Sequence, residues 1–249
     1  MEKIYIHDEY DHNFNAAGEV LPEVLKLTSA KSIVDVGCGI GTWLKVAEDL
    51  GINDFTGIDG DYVEKSLMKI PAHRYIPIDL RNRFNLNRKY DLAICLEVAE
   101  HLPESSADDF IASITAHADI ILFSAAIPNQ GGQNHLNEQW TSAYWTAKFR
   151  EHDFVAVDIL RKKFWNNQKV DLWYKQNMTF FAAKASPFVH QFGEQPFYDF
   201  IHPSLFLHKI EFANKAQADL VKGIQSGSSL SYSEIFNIIL KKLKHKISG

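Results

Sequence analysis

Apolar and polar positions alternate between two periods along this chain. The short run Ile33-Val34-Asp35-Val36 breaks at Gly37, Gly39 and Gly41. Apolar positions then resume at Trp43, Leu44, Val46, Ala47 and Leu50 with helical spacing. The pattern predicts a buried strand over 32–36, a glycine turn, and a helix that ends near Leu50 at Gly51. A strand, a bare turn and a helix N-terminus in succession let a ligand approach backbone. Further apolar runs predict strands at 55–58, 75–78, 91–96 and 120–124, with helices at 22–27, 62–69, 106–116 and 139–151. The runs at 154–160 and 178–183 are joined by residues 161–177, which hold no helix-length apolar repeat. They are therefore expected as an antiparallel hairpin with a long tip.

The remainder divides the chain into three parts. Residues 1–29 are expected as an N-terminal cap and helix, 30–185 as the core, and 186–249 as a C-terminal extension. Within the extension, 186–229 reads as irregular, and Ser226-Gly227-Ser228-Ser229 as a flexible joint. The tail 230–249 reads as an amphipathic helix, with Ile235, Phe236, Ile239, Leu240, Leu243 and Ile247 on one side and lysines late in the segment.

Composition narrows the class. A chain of 249 residues with 46% hydrophobic content can bury one sizeable α/β core. A formal net charge of −5 provides no global field for nucleic acid, and no nucleic-acid partner is expected. Cys38 and Cys95 fall in or beside predicted central strands and read as buried, reduced core residues. With no basic-then-apolar N-terminal segment and no apolar run of spanning length, a soluble cytoplasmic protein is expected.

Candidate chemistry lies at the strand ends. Asp59 follows the second predicted strand, roughly twenty residues beyond the glycines, where nucleotide-binding folds place an acid on ribose hydroxyls. Asp79-Leu80 ends the third strand, and Glu97-Val98-Ala99-Glu100-His101 follows the fourth. Open parallel sheets bind ligands outside the carboxyl ends of their strands, so these acids converge on one crevice.

Asp35-Val36-Gly37-Cys38-Gly39-Ile40-Gly41 resembles the first motif of class I S-adenosylmethionine-dependent methyltransferases. Asp59, Asp79-Leu80 and residues 91–101 resemble that family's later strand-end motifs. The resemblance covers about residues 30–185. It implies an α/β, Rossmann-like seven-stranded sheet, mostly parallel with a terminal antiparallel hairpin and helices on both faces. It also implies S-adenosylmethionine as donor and S-adenosylhomocysteine as product. By the same resemblance, Gly37, Gly39 and Gly41 would approach the methionine part and Asp35 its amino group. Asp59 would meet the ribose, Asp79 and the Leu80 backbone the adenine edge, and Leu96 and Glu97 the sulfonium end. A nicotinamide dinucleotide fold is the competing reading, but its fingerprint wants glycine where Thr42 stands.

The donor carries its own leaving group, so the chain must align the acceptor, exclude water and remove a proton from a hydroxyl. His101 after the fourth strand and His135 in the loop after the fifth are the candidate bases. Residues 131–140 and 173–177 are similar to a bacterial methyltransferase subgroup associated with surface-sugar and secondary-metabolite pathways. That similarity implies an acceptor pocket lined by Gln133, Asn134, Asn137, Glu138, Trp173 and Tyr174. O-methylation of a sugar or glycan-pathway intermediate is the resulting expectation. A divalent metal is compatible with the residue types but left unassigned. N-methylation of a small molecule and a non-catalytic cofactor-binding scaffold are the alternatives, although no Asn-Pro-Pro-aromatic segment follows the fourth strand. The tail is expected either to pack on its own domain or a twin subunit, or to dock peripherally on anionic lipid.

Overall fold

The computed structural model describes residues 14–195 and 197–225. Seven strands form one sheet: β1 (Ser32–Val36), β2 (Asp54–Asp59), β3 (Tyr75–Pro77), β4 (Leu92–Leu96), β5 (Ile120–Ser124), β6 (Phe154–Val157) and β7 (Thr179–Ala183). Their spatial order is β3-β2-β1-β4-β5-β7-β6. The first five pair in parallel, whereas β7 runs antiparallel to both β5 and β6. This is the α/β, Rossmann-like sheet with a terminal antiparallel hairpin that the apolar pattern and the motifs predict. Strand order reverses at β1, which pairs with β2 on one side and β4 on the other. A ligand crevice belongs beyond the carboxyl ends at such a switch point.

Period-2 alternation sorts the strand residues onto two buried faces. Ile33, Leu92, Ile94, Leu122 and Phe180 face one side, where they join α1 (Asn15–Thr28), α2 (Thr42–Asp49) and α7 (Pro187–Phe192) through Val20, Leu44 and Phe188. Val34, Val36, Cys95, Phe123 and Phe181 face the other. There they meet α3 (Ala107–His117) through Phe110 and Ile114, and α4 (Thr146–Arg150) through Phe149. Both faces being covered explains why the strands read as unbroken apolar runs. Cys38 and Cys95 are buried free thiols.

Several elements differ from the sequence-based expectation. The expected helix at 22–27 is the end of a longer one, α1, which passes through Pro22 because Ala16, Ala17, Val20, Leu21 and Val24 bury one face. The expected helix at 62–69 is only a 3₁₀ turn at Lys65–Leu67. Tyr62 turns back to donate to Asp59, and the Lys69 amide donates to the Ile40 carbonyl at 2.8 Å. Both bonds draw the segment toward the glycine turn and away from helical geometry. The helix expected over 139–151 begins as a π turn at Thr141–Trp145, where the Thr146 hydroxyl donates to the Thr141 carbonyl at 2.7 Å, and continues as α4. The hairpin tip holds two short helices, α5 (Arg161–Phe164) and α6 (Leu172–Asn177).

Residues 186–225 are largely helical, not irregular. The Ser186 side chain caps α7 by accepting from the Val189 amide, with Pro187 in the first turn. The chain divides after His202, and the second unit's described part is the 23-residue α8 (Pro203–Gln225). Phe206, Leu207, Phe212 and Leu220 are exposed along it. Most of the expected cap, the serine-glycine joint and the amphipathic tail, with its lipid or subunit contact, lie outside the described residues. Among the described residues no helix is long and apolar enough to cross a membrane.

Candidate active site

A cavity of about 1190 Å³ opens beyond the carboxyl ends of β1, β2 and β4. Asp35, Gly37, Asp59, Asp79, Leu80, Leu96 and Glu97 all line it, as do His101, Gln133, Asn134, His135, Trp173 and Tyr174. Sequence positions up to 139 residues apart thus meet at one place, because the parallel strands end there and α6 of the hairpin tip adds Trp173 and Tyr174. Gly39, Gly41, Asn137 and Glu138 do not line it.

The glycine turn is built largely for the protein's own packing. Gly37 has φ +81°, and a Cβ there would lie 2.3 Å from Val98 Cγ2. Gly41 has φ +85°, and its Cβ would press on Ile70. Left-handed backbone and a close neighbour together make alanine costly. Gly37→Ala should destabilise the fold by about 2–3 kcal/mol in urea unfolding.

Asp59 is the hub of the glycine-turn side of the cavity. It is 4% exposed, and its Oδ2 accepts from the Gly39 amide at 2.8 Å. Its Oδ1 accepts from the Gly60 amide at 2.6 Å and from the Tyr62 hydroxyl at 3.0 Å. Asp35, 3% exposed on β1, has an Oδ2 with no hydrogen-bond partner. Burial, with the negative charge of Asp59 nearby, pushes its carboxyl up to about 8. At the cavity's outer edge Arg81 donates to both carboxylate oxygens of Asp79 at 2.9 Å and holds that group below the ordinary aspartate range.

Glu97 leaves β4 with φ +54°, a left-handed conformation unusual for its type. Its Oε2 accepts from Gln130 Nε2 at 2.9 Å and its Oε1 from Asn177 Nδ2 at 3.3 Å. Asn177 also donates to Gln130 Oε1 at 2.7 Å, which closes a ring of three side chains. Gln130 was not anticipated as a site residue, and Asn177 only as the end of the 173–177 segment. The amide-rich loop signalled the first, but nothing in the spacing links it to a residue 47 positions later.

The histidine side of the cavity is organised by Glu100. Its carbonyl accepts from the Leu136 amide at 2.7 Å and the Asn137 amide at 3.0 Å, which pins the loop after β5 against the loop after β4. His101 and His135 consequently meet edge to face, with ring centroids 5.0 Å apart. His135 Nδ1 lies 2.7 Å from Glu138 Oε1, whose other oxygen accepts from the Asn129 amide. His101 Nδ1 lies 3.3 Å from the Asn134 carbonyl. The Glu100 carboxyl, 1% exposed, has one oxygen with no hydrogen-bond partner. Burial, then the nearby Glu97 charge, raises its pKa well above the ordinary range. Asn137 is buried and accepts from Gln139 at 2.9 Å. Tyr174 packs edge-on against Trp43 at 5.3 Å and against Trp173 at 6.0 Å, forming an aromatic wall.

Among known proteins, magnesium protoporphyrin IX methyltransferase of Arabidopsis thaliana is 28% identical over 106 residues, covering 39% of this chain. The chain spans about a third of that relative's length (34%). CalS10 of Micromonospora echinaspora, an amino pentose methyltransferase involved in calicheamicin biosynthesis, is a structural neighbour with a TM-score of 0.50. That alignment covers 73% of this chain and 99% of CalS10 at 14% identity, a likeness of fold. DesVI of Streptomyces venezuelae aligns over 51% of this chain and 62% of its own at 18% identity, with a TM-score of 0.40. A family model described as a methyltransferase domain matches residues 7–152, more than half of the sequence. By that match, and with the glycine turn and strand-end acids around one cavity, the chain belongs to the class I S-adenosylmethionine-dependent methyltransferases.

Proposed function

We propose that this chain transfers a methyl group from S-adenosylmethionine to a hydroxyl of a small polar acceptor, a sugar or glycan-pathway intermediate. The observation that carries the reading is the His135–Glu138 pair at 2.7 Å on the wall of the cavity that also holds Asp35 and Asp59. When bound, the donor supplies an activated methyl on a sulfonium that leaves as a neutral thioether.

The residues present fit that donor. The partnerless Oδ2 of Asp35 suits an ammonium, and Asp59 suits the ribose, with the Tyr62 hydroxyl holding a position that a ribose hydroxyl would take. Asp79 and the Leu80 backbone would meet the adenine edge, with Leu96 and Glu97 beside the reacting end. Gly37, Gly39 and Gly41 would keep the turn close enough for backbone contact. On the acceptor side Gln133 and Asn134 offer amides and Trp173 and Tyr174 aromatic faces, a combination suited to a polyol. Asn137 and Glu138 would support the loop from behind.

A carboxylate can only accept, so the 2.7 Å contact makes His135 Nδ1 the donor, and in the neutral ring Nε2 keeps its lone pair. Such a nitrogen can take a hydroxyl proton while Glu138 stabilises the resulting imidazolium. His101, edge-on to it, is the second candidate for that role.

The test pairs acceptors that differ only by hydroxyl or amine at one carbon, incubated with donor and mapped by mass spectrometry. Methyl on the hydroxyl member supports the reading, and methyl confined to the amine member overturns it in favour of N-methylation. His135→Ala should cut turnover roughly 100-fold while leaving S-adenosylhomocysteine affinity unchanged. A scaffold that only holds the cofactor would show no turnover for either form.

A further inference from the structure

The histidine pair has a feature that a lone proton acceptor does not need. Glu100, His101 and His135 each bring one potential ligand atom to within 4.8 Å of the others. We propose that these three residues bind a divalent transition-metal cation, for which Mn²⁺ serves as the probe, at the histidine end of the cavity.

Three independent features of the geometry support this. First, both imidazoles are oriented through Nδ1, His135 by the Glu138 carboxylate and His101 by the Asn134 carbonyl. Neither acceptor can donate, so in its neutral form each ring carries its proton on Nδ1 and keeps the lone pair on Nε2. Metal-binding histidines are held in this way. Second, one Glu100 oxygen is buried and has no hydrogen-bond partner among the described residues. An unsatisfied carboxyl oxygen at such depth is costly, and a cation at that point would both meet it and favour its ionised form. Third, Glu97 lines the same part of the cavity and lies close enough to Glu100 for each acid to oppose the other's ionisation, a conflict that a cation would relieve. The Glu100 carbonyl bonds to Leu136 and Asn137 preorganise the three ligands from two loops.

Two nitrogens and one carboxylate oxygen suit Mn²⁺, Fe²⁺, Co²⁺ or Zn²⁺ better than the all-oxygen shell preferred by Mg²⁺. Because His101 and His135 line the cavity, the remaining coordination positions face it, open to water or to acceptor oxygens. Binding stands on this geometry alone. Its catalytic use, drawing an acceptor hydroxyl into line and making it more acidic, rests on the hydroxyl-acceptor reading and gives His135 a ligand's role in place of the base's.

The experiment is a Mn²⁺ titration of the full chain, stripped with chelator and desalted, followed by electron paramagnetic resonance. S-adenosylhomocysteine affinity, measured in parallel, reports that each variant is folded. The wild type should remove one equivalent of the free-ion signal, and Glu100→Gln and His135→Ala should abolish that uptake with cofactor affinity kept. Glu138→Ala, at a positioning residue, should weaken Mn²⁺ binding roughly 10–100-fold without altering cofactor affinity. A free-ion signal unchanged by wild-type protein, with and without S-adenosylhomocysteine, would overturn the proposal, as would Glu100→Gln binding as tightly as wild type. Either negative result leaves hydroxyl methylation intact, because that is judged by the product and not by the ion.

Discussion

Asp59→Ala is expected to lower S-adenosylhomocysteine affinity by about 10³-fold, from two lost charge-assisted hydrogen bonds to the ribose at about 2 kcal/mol each. The effect exceeds that of an ordinary contact because the carboxylate also receives the Gly39 and Gly60 amides. Its removal orphans both donors and loosens the glycine turn proposed to meet the methionine part of the ligand. Asp59→Asn separates the two contributions. An amide oxygen can still accept from one backbone amide, so the turn should survive while affinity falls by a similar factor. Calorimetry gives the affinity, and thermal unfolding without ligand gives the turn's share. Equal affinity for wild type and Asp59→Ala would remove Asp59 from the cofactor site.

The second large effect is a pH dependence centred on Asp35. In the free protein its carboxyl sits at about 8, against 3.8 for an unperturbed aspartate. The native state therefore holds a proton that the unfolded state releases between those values. Stability contributed by this group is present below pH 4, declines as pH rises, and is fully lost above pH 8. The slope approaches about 1.4 kcal/mol per pH unit in the middle of that window. Asp35→Asn cannot ionise and should abolish this slope, so the variant should be the more stable protein at pH 8 without ligand.

Cofactor binding should show the opposite trend. An ammonium beside Asp35 favours the ionised carboxylate, so binding at pH 7 expels close to one proton. Affinity should rise by up to about tenfold per unit between pH 6 and 8, then level as the ligand's own amino group titrates. Titration in two buffers of different ionisation enthalpy measures the proton directly. Asp35→Asn should bind weakly at every pH, with no proton released. An affinity independent of pH in the wild type would contradict the assignment of Asp35 to the amino group.

Sequence and structure agree best where one physical rule acts alone. β1 and β5 occupy the predicted residues because strands covered on both faces must be apolar throughout. The terminal hairpin was legible from a missing helical repeat, although α5 and α6, at four and six residues, are too short to leave a period. Prediction failed where long-range bonds compete with local preference. Tyr62 and Lys69 are drawn from a helix by Asp59 and Ile40, partners beyond any local window. Most of α8 went unseen because its apolar residues fall on several sides and carry no single stripe.

The site divides in the same way. The strand-end acids were legible because topology alone brings them together. The Glu138 support of His135 is visible at a spacing of three. Contact between His101 and His135, however, depends on two amides finding the Glu100 carbonyl across 36 and 37 residues, and no spacing rule carries that. Glu97, Gln130 and Asn177 form their ring for the same reason, through two loops and the end of α6 that meet only in the folded protein.

The most direct test of the account is calorimetric titration of the purified chain with S-adenosylhomocysteine and, separately, NAD. One equivalent of S-adenosylhomocysteine should bind with roughly micromolar affinity, about −8 kcal/mol, and NAD should produce no saturable heat. Saturable NAD binding with none for S-adenosylhomocysteine would contradict the assignment of the crevice around Asp35 and Asp59 to the methyl donor.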